Sequence, residues 1–335
     1  MIDRAPLHGA RRRCTKLVMR RLIVLLALAL AGAAPSPGRE GGWHLVPGSF
    51  EPGRQPDGNS VFLEAPEGLI LVDTGRHPEH QEKLLAYAKA RGKPIAAVVN
   101  THWHLDHVGG NAEIRAVYPK APVHGSAAVE GALTGFFPRS RKSAEEFLAS
   151  GQASPEQEAE IRGDFAAMED AAALRPTRPV TRSSAVRAAG RRLRLNLARF
   201  AATEGDVWVH DERSKLVIAG DLVVGPVPFF DTGCPEGWRE ALTAIAATPF
   251  DTLIPGHGEP MTKPQFLQWR TAFGNLLDCA VTDKDKAVCV AGWKRDAAAF
   301  IPAGDRRIDG MIGYYLDSRL RAPYPEREKY CRPLR

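Results

Sequence analysis

The chain has 335 residues, 44% apolar and 25% charged, enough to bury a sizeable core as one large domain or one domain with an appendage. Its formal charge of +6 would invite a nucleic-acid partner, yet residues 1–34 hold seven basic groups against one acid, which is the whole excess. The rest of the chain is neutral, so its charge gives no support for nucleic acid as a partner.

The basic segment reads as a secretory signal. A basic region ends at Arg21, an apolar run covers 22–30, and Ala31-Gly32-Ala33-Ala34 offers a cleavage site of small residues. Met19 is a second candidate start, because Met19-Arg20-Arg21 and the apolar run form a complete signal by themselves. The run is too short to span a bilayer comfortably, and no cysteine at the cleavage site offers a lipid anchor. The expected location is periplasmic or secreted, with no stable membrane anchor after cleavage. Cys14 would leave with the leader. Cys234, Cys279, Cys289 and Cys331 remain, an even number that fits two disulfides in an oxidising compartment. Cys279–Cys289 is the favoured pair, since Thr282-Asp283-Lys284-Asp285 between them reads as a polar turn joining helices. Cys234–Cys331 would then tie the tail to the main domain. Cys234 as a metal ligand is the weaker alternative, because no other cysteine or histidine lies beside it.

Residues 35–42 form a Pro/Gly-rich linker. Short strands are expected over 43–46, 60–65 and 69–72, separated by Pro56-Asp57-Gly58-Asn59 and Pro66-Glu67-Gly68. The last of them ends at Asp73-Thr74-Gly75, a carboxylate that either caps a turn or braces a neighbouring site. A helix over 78–91 is stopped by Gly92 and Pro94, and Ile95-Ala96-Ala97-Val98-Val99 reads as a buried strand. That strand runs into Asn100-Thr101-His102-Trp103-His104-Leu105-Asp106-His107, then Gly109-Gly110 and a helix over 111–118. Three imidazoles and a carboxylate within six positions need partners if buried, and the usual partner is a zinc-type ion. Helical spacing would scatter His102, His104, Asp106 and His107 over different faces. The stretch is therefore expected to be a compact loop whose ligands converge on one or two ions.

Val123-His124 begins a short strand, with His124 read as an isolated surface or strand-end histidine. Residues 140–175 are rich in Ala, Glu and Arg and carry a capping box at Ser154-Pro155-Glu156-Gln157. They predict two inserted helices, of the kind that overhang a site and shape its pocket. Strands follow over 193–197, 207–210 and 216–219, with a hairpin turn at Asp211-Glu212-Arg213-Ser214 and Gly220-Asp221 closing the last. A helix over 235–247, a strand over 252–254 and the glycine-flanked Pro255-Gly256-His257-Gly258 come next. From Thr262, a good N-cap, the chain is mostly helical to its end. No internal repeat or heptad run is present, and Gly109-Gly110 lacks the spacing and lysine of a nucleotide loop.

Four features thus stand in order: Asp73-Thr74-Gly75, the His102–His107 stretch, Gly220-Asp221 and Pro255-Gly256-His257-Gly258, each metal-type residue at the end of an expected strand. Over about 43–261 the sequence resembles the metallo-β-lactamase-fold hydrolases. The resemblance implies an α/β fold, a four-layer αβ/βα sandwich over 43–262 with two adjoining zinc sites at one edge. A helical, disulfide-bearing extension over 263–335 would pack on it. Matched motif by motif, it implies His102 and His104 in the first site, Asp106, His107 and His257 in the second, and Asp221 as the bridge. One position departs from the pattern. Where the family carries His-Thr-x-Gly-Asp, this chain reads Ala202-Thr203-Glu204-Gly205-Asp206, and alanine cannot bind metal.

Three outcomes follow from that departure: one zinc in the second site, Glu204 as a substitute ligand, or a degenerate relative that binds without catalysis. The first is favoured. The resemblance then implies zinc-dependent hydrolysis of an ester, thioester, lactone or lactam in an extracytoplasmic small molecule. Asp106, His102 and His104 would hold and deprotonate the attacking water. Asp221 in place of a bridging cysteine counts against the best-known two-zinc lactamases, so β-lactamase activity is not favoured. The oligomeric state is left open.

Overall fold

The apolar runs of the sequence become the inner faces of two six-stranded sheets. In the computed structural model, which describes residues 42–51, 53–322 and 330–331, the first sheet comprises β1 (Trp43–Val46), β2 (Ser60–Ala65), β3 (Gly68–Val72), β4 (Ile95–Val99), β5 (Val123–Gly125) and β6 (Arg178–Pro179), in that order. The second comprises β7 (Ser184–Ala188), β8 (Arg191–Arg199), β9 (Gly205–Asp211), β10 (Leu216–Val224), β11 (Thr252–His257) and β12 (Met261–Thr262), in reverse order across the sheet. The first sheet is antiparallel up to β3 and parallel from there to β6; in the second, β10 and β11 are the parallel pair. The expected signal over 1–34, and the expected linker up to residue 41, lie outside the described residues.

Side-chain alternation sets the layers. Val61, Leu63, Ile70 and Val72 face the other sheet and meet Leu193, Leu195, Val207, Val209 and Ile218. Phe62, Leu69 and Leu71 point the opposite way, as a two-residue period requires. They pack beneath α1 (Pro78–Arg91), beyond which the chain forms α2 (Leu105–Val108) and α3 (Asn111–Val117). β3 and β10 are buried at every position, which explains why both read as continuous apolar runs without alternation.

An insertion between β5 and β6 holds α4 (Val129–Gly131), a π-helical turn, α5 (Phe137–Ala149), α6 (Pro155–Glu169) and α7 (Ala171–Leu174). It packs its own apolar cluster around Trp103, Phe137 and Leu174. The outer face of the second sheet is covered by α8 (Pro235–Ala247), α9 (Lys263–Ala280), α10 (Lys286–Asp296) and α11 (Arg307–Tyr315). Three buried indoles from these helices grip one short segment. Trp238 donates to the Leu222 carbonyl, Trp269 to Val224 and Trp293 to Pro226, at 2.9 to 3.0 Å. Each bond spares a buried donor a penalty of roughly 1–3 kcal/mol. Together they fix the end of β10, the strand that carries Asp221. The C-terminal helices therefore position the candidate site as well as covering the sheet.

Several expectations need adjustment. The His102–His107 stretch is not all loop, because Leu105–Val108 closes one helical turn. β10 runs on past Gly220-Asp221 to Val224, so Asp221 lies inside a strand, at a break in its register with β11. The insertion becomes helical at Val129, earlier than 140. The short edge strands β6, β7 and β12 carry too little pattern to be read from sequence. Both favoured disulfides are present. Cys279–Cys289 joins α9 to α10, and Cys234–Cys331 ties the tail to the start of α8, so Cys234 is not a metal ligand. Among the described residues no helix is long and apolar enough to cross a membrane.

Candidate metal centre and its pocket

The two sheets bring their strand ends to one edge, and seven side chains meet there. Asp73 ends β3, and His102, His104, Asp106 and His107 follow β4. Asp221 comes from β10, and His257 ends β11. Two glycines allow this crowding. Gly220 turns β10 through a left-handed φ of 53°, and a Cβ on Gly256 would stand 2.0 Å from Asp221 Oδ1. The Pro56-Asp57-Gly58-Asn59 turn staples the halves together: Gly58 N donates to the Asp106 carbonyl at 2.9 Å and Asn59 N to the Gly256 carbonyl at 2.7 Å.

Four atoms form the tighter half of the cluster. His107 Nε2 lies 3.1 Å from Asp221 Oδ1, 3.4 Å from His257 Nε2 and 3.6 Å from Asp106 Oδ2. His257 Nε2 lies 3.0 Å from Asp106 Oδ2 and 3.5 Å from Asp221 Oδ1. A tetrahedral zinc with bonds of 2.0–2.1 Å spaces its ligand atoms about 3.3 Å apart, in the middle of this range. Asp221 Oδ1 is buried with no hydrogen-bond partner, which a cation would supply. His107 Nδ1 lies 2.8 Å from Asp73 Oδ2, so the ring turns its other nitrogen on the cluster, the usual carboxylate brace of a metal-binding histidine. Burial disfavours the charged form of His107, yet Asp221, Asp106 and Asp73 hold it well above the ordinary imidazole range. Burial likewise raises the cost of an ionised Asp106, but His107 and His257 keep its carboxyl well below the usual range. Acceptors packed this densely around two imidazoles suit a divalent cation, and the nitrogen and oxygen donor set suits zinc.

The other half is looser. His102 Nε2 is 2.9 Å from His104 Nδ1 and 3.7 Å from Asp221 Oδ2. The Thr101 hydroxyl donates to Asp73 and the Thr232 hydroxyl to the Ala202 carbonyl. Each oxygen is then left to accept from a ring, Thr101 from His102 Nδ1 at 3.0 Å and Thr232 from His104 Nε2 at 3.0 Å. With their protons outside, the two rings turn lone pairs toward each other, an arrangement that calls for a cation or a hydrogen-bond donor between them. Burial lowers both pKa values, that of His104 to about 4, so neither ring carries charge at neutral pH. Ala202 is buried in the apolar core and supplies no third imidazole. Glu204, the alternative ligand, has its carboxylate engaged by the Trp103 indole, from which it accepts at 3.1 Å. His124 lies in β5 and takes no part.

A cavity of about 450 Å³ opens onto His104, Asp106, Asp221 and His257. Its walls come from the 50–56 loop, the insertion, the loop after β10 and α11. Sequence reasoning missed Thr232 and Arg76 in this region. A lone threonine on a loop carries no signal, and Arg76 follows the Asp73-Thr74-Gly75 turn with nothing to mark it.

Residues 53–257, more than half of the chain, match the family described as the metallo-beta-lactamase superfamily. The chain belongs to that family. A linear primary-alkylsulfatase from a Pseudomonas species is 27% identical over 221 residues, covering 60% of this chain and 41% of that enzyme. A hydroxyacylglutathione hydrolase from a Synechococcus species is 43% identical over 58 residues, 17% of this chain and 23% of that enzyme. The chain thus spans less than half the length of these curated relatives. Among solved structures, the DIM-1 metallo-beta-lactamase exposed to ceftazidime superposes with a TM-score of 0.50 at 14% identity, over 72% of this chain and 98% of that one, which shows a shared fold. In this superfamily member, α9 to α11 lie beyond the matched residues, yet α11 contributes to the cavity wall.

Proposed function

We propose that this metallo-beta-lactamase superfamily member is a zinc-dependent hydrolase that cleaves an ester, thioester, lactone or lactam bond in a small molecule outside the cytoplasm. The observation that carries the reading is that His107 Nε2 and His257 Nε2 each lie 3.0 to 3.6 Å from a carboxylate oxygen of both Asp106 and Asp221, and that the Asp221 oxygen is buried with no hydrogen-bond partner. These four would hold the dominant ion. A zinc there would supply Lewis acidity and lower the pKa of bound water toward neutrality. The chain's own groups supply the rest. Asp106 keeps Oδ2 toward His107 and His257, and its Oδ1, on the Arg76 side, is free to orient the attacking water. One of the facing lone pairs of His102 and His104 would accept a proton from that water. The two curated relatives are named as an alkylsulfatase and a hydroxyacylglutathione hydrolase, which supports a hydrolase reading. The alkylsulfatase match, which covers most of this chain, supports a second reading in which the bond is a sulfate ester. Two disulfides favour an oxidising compartment.

Metal analysis of the purified full-length protein, followed by turnover assays on ester, thioester, lactone, β-lactam and alkyl sulfate substrates, tests the reading. About one zinc per chain is expected, with turnover lost on chelation and restored by zinc. A metal-free protein inactive on the whole panel would favour a catalytically degenerate binding protein instead.

A further inference from the structure

Three guanidinium groups line the cavity: Arg54, Arg76 and Arg307. Two are engaged. Arg54 Nη2 reaches both carboxylate oxygens of Glu79, and Arg307 grips Asp305 through Nε and Nη2 while lying 3.8 Å over the Phe50 ring. Arg76 differs. Its Nη1 donates to Asp164 of α6, at 2.9 and 3.3 Å to the two oxygens. Its Nε is buried with no hydrogen-bond partner, and Nη2 stands 3.9 Å from Asp106 Oδ1, beyond hydrogen-bond reach. Only 14% of the side chain is exposed. A guanidinium withdrawn from water with donors unspent is costly until an anion takes them, and its planar fork matches an oxyanion in two-point contact.

We propose that Arg76 receives an anionic group of the substrate, so that the cavity selects amphipathic anions. The proposal rests on the hydrolase reading and adds a substrate class to it. The charged group would sit beside Asp106, at the edge of the candidate metal centre. The apolar body would lie on Trp103, Phe136, Phe137, Phe229 and Met311, which line the same cavity. Phe136 and Phe137 belong to the insertion and Met311 to α11, so these two elements set the fit. Asp164 then acts as the resident counter-ion, competing with the incoming anion for one edge of the fork.

Titration calorimetry on the zinc-loaded full chain with decanoate, 1-decanol and acetate tests this without requiring turnover. An inactive protein that still binds decanoate through Arg76 would therefore sink the hydrolase reading and spare this one. Decanoate is expected to bind roughly 10-fold more tightly than either decanol or acetate, since only decanoate offers both charge and chain. Arg76→Gln should erase the advantage of decanoate over decanol. Asp164→Asn should tighten decanoate binding, because it removes the competitor and leaves the apolar wall in place. If Arg76 served only to fasten α6, both substitutions would weaken decanoate and decanol alike, and that result overturns the proposal. So would equal binding of decanoate and decanol by the unmodified protein.

Discussion

Asp73 grips the Nδ1 of His107 at 2.8 Å and is itself held by the Thr101 amide and hydroxyl at 2.7 Å each. It adopts a left-handed φ of 61° to do so, uncommon for a residue with a side chain. Strain of this kind persists where surrounding contacts over-determine it, and here three do. Asp73→Asn should keep the shape but lose the charge that orients His107, weakening zinc affinity by roughly 10–100-fold in competition with a chelator of known affinity. Ala202 makes a complementary test. Ala202→His would restore a third imidazole beside His102 and His104, and zinc content measured by mass spectrometry should rise from about one toward two per chain. An unchanged stoichiometry would mean that this position does not limit the looser half.

Turns rather than strands hold the elements in register around the site. Asp57 accepts from the amides of Arg76 and His77, the His77 ring and the Ser49 hydroxyl, pinning the β3–α1 turn to the loop before β2. Burial works against its ionised form, but the hydrogen bonds from His77 and Arg76 outweigh it and hold the carboxyl below the ordinary range. A carboxyl depressed in the folded state stabilises the fold above its unfolded value, near ~3.9, and that contribution disappears as pH falls through the folded value. Asp57→Asn should therefore lower the urea midpoint at about pH 6 and have progressively less effect toward about pH 3. α6 is held differently. None of its side chains is fully buried, and it docks through Glu160 on the Gln55 amide, Asp164 on Arg76 and Phe165 under Arg141. Its amides should exchange with solvent faster than those of β3 or β10, and faster still at high salt, as hydrogen exchange by mass spectrometry would read.

At the scale of the whole molecule, the second sheet and the C-terminal helices share one apolar core, closed by the Cys234–Cys331 disulfide across 97 positions. Constraining so long a loop in the unfolded chain is worth up to about 4–5 kcal/mol by chain-entropy reasoning. Replacing both cysteines with serine should lower the unfolding temperature in calorimetry by more than removing Cys279–Cys289, which spans 10 positions. How much of this was legible in sequence follows from the range over which each feature is encoded. The strands of the core, the boundaries of α1 and α8, the capping box at Ser154, the N-cap at Thr262 and the Cys279–Cys289 pair could be read directly, with Cys234–Cys331 following as the remaining pair. They depend on alternation, caps and turns within a few residues. The ligand motifs were equally visible, because their spacing is local. The motif match already grouped Asp221 and His257 with Asp106 and His107; only the tertiary structure showed how strand ends of two sheets bring them together, and that Glu204 turns to Trp103. It alone set Thr232 against His104 and left the Nε of Arg76 without a partner. Those outcomes depend on side-chain directions where distant segments meet, and no short-range pattern encodes them.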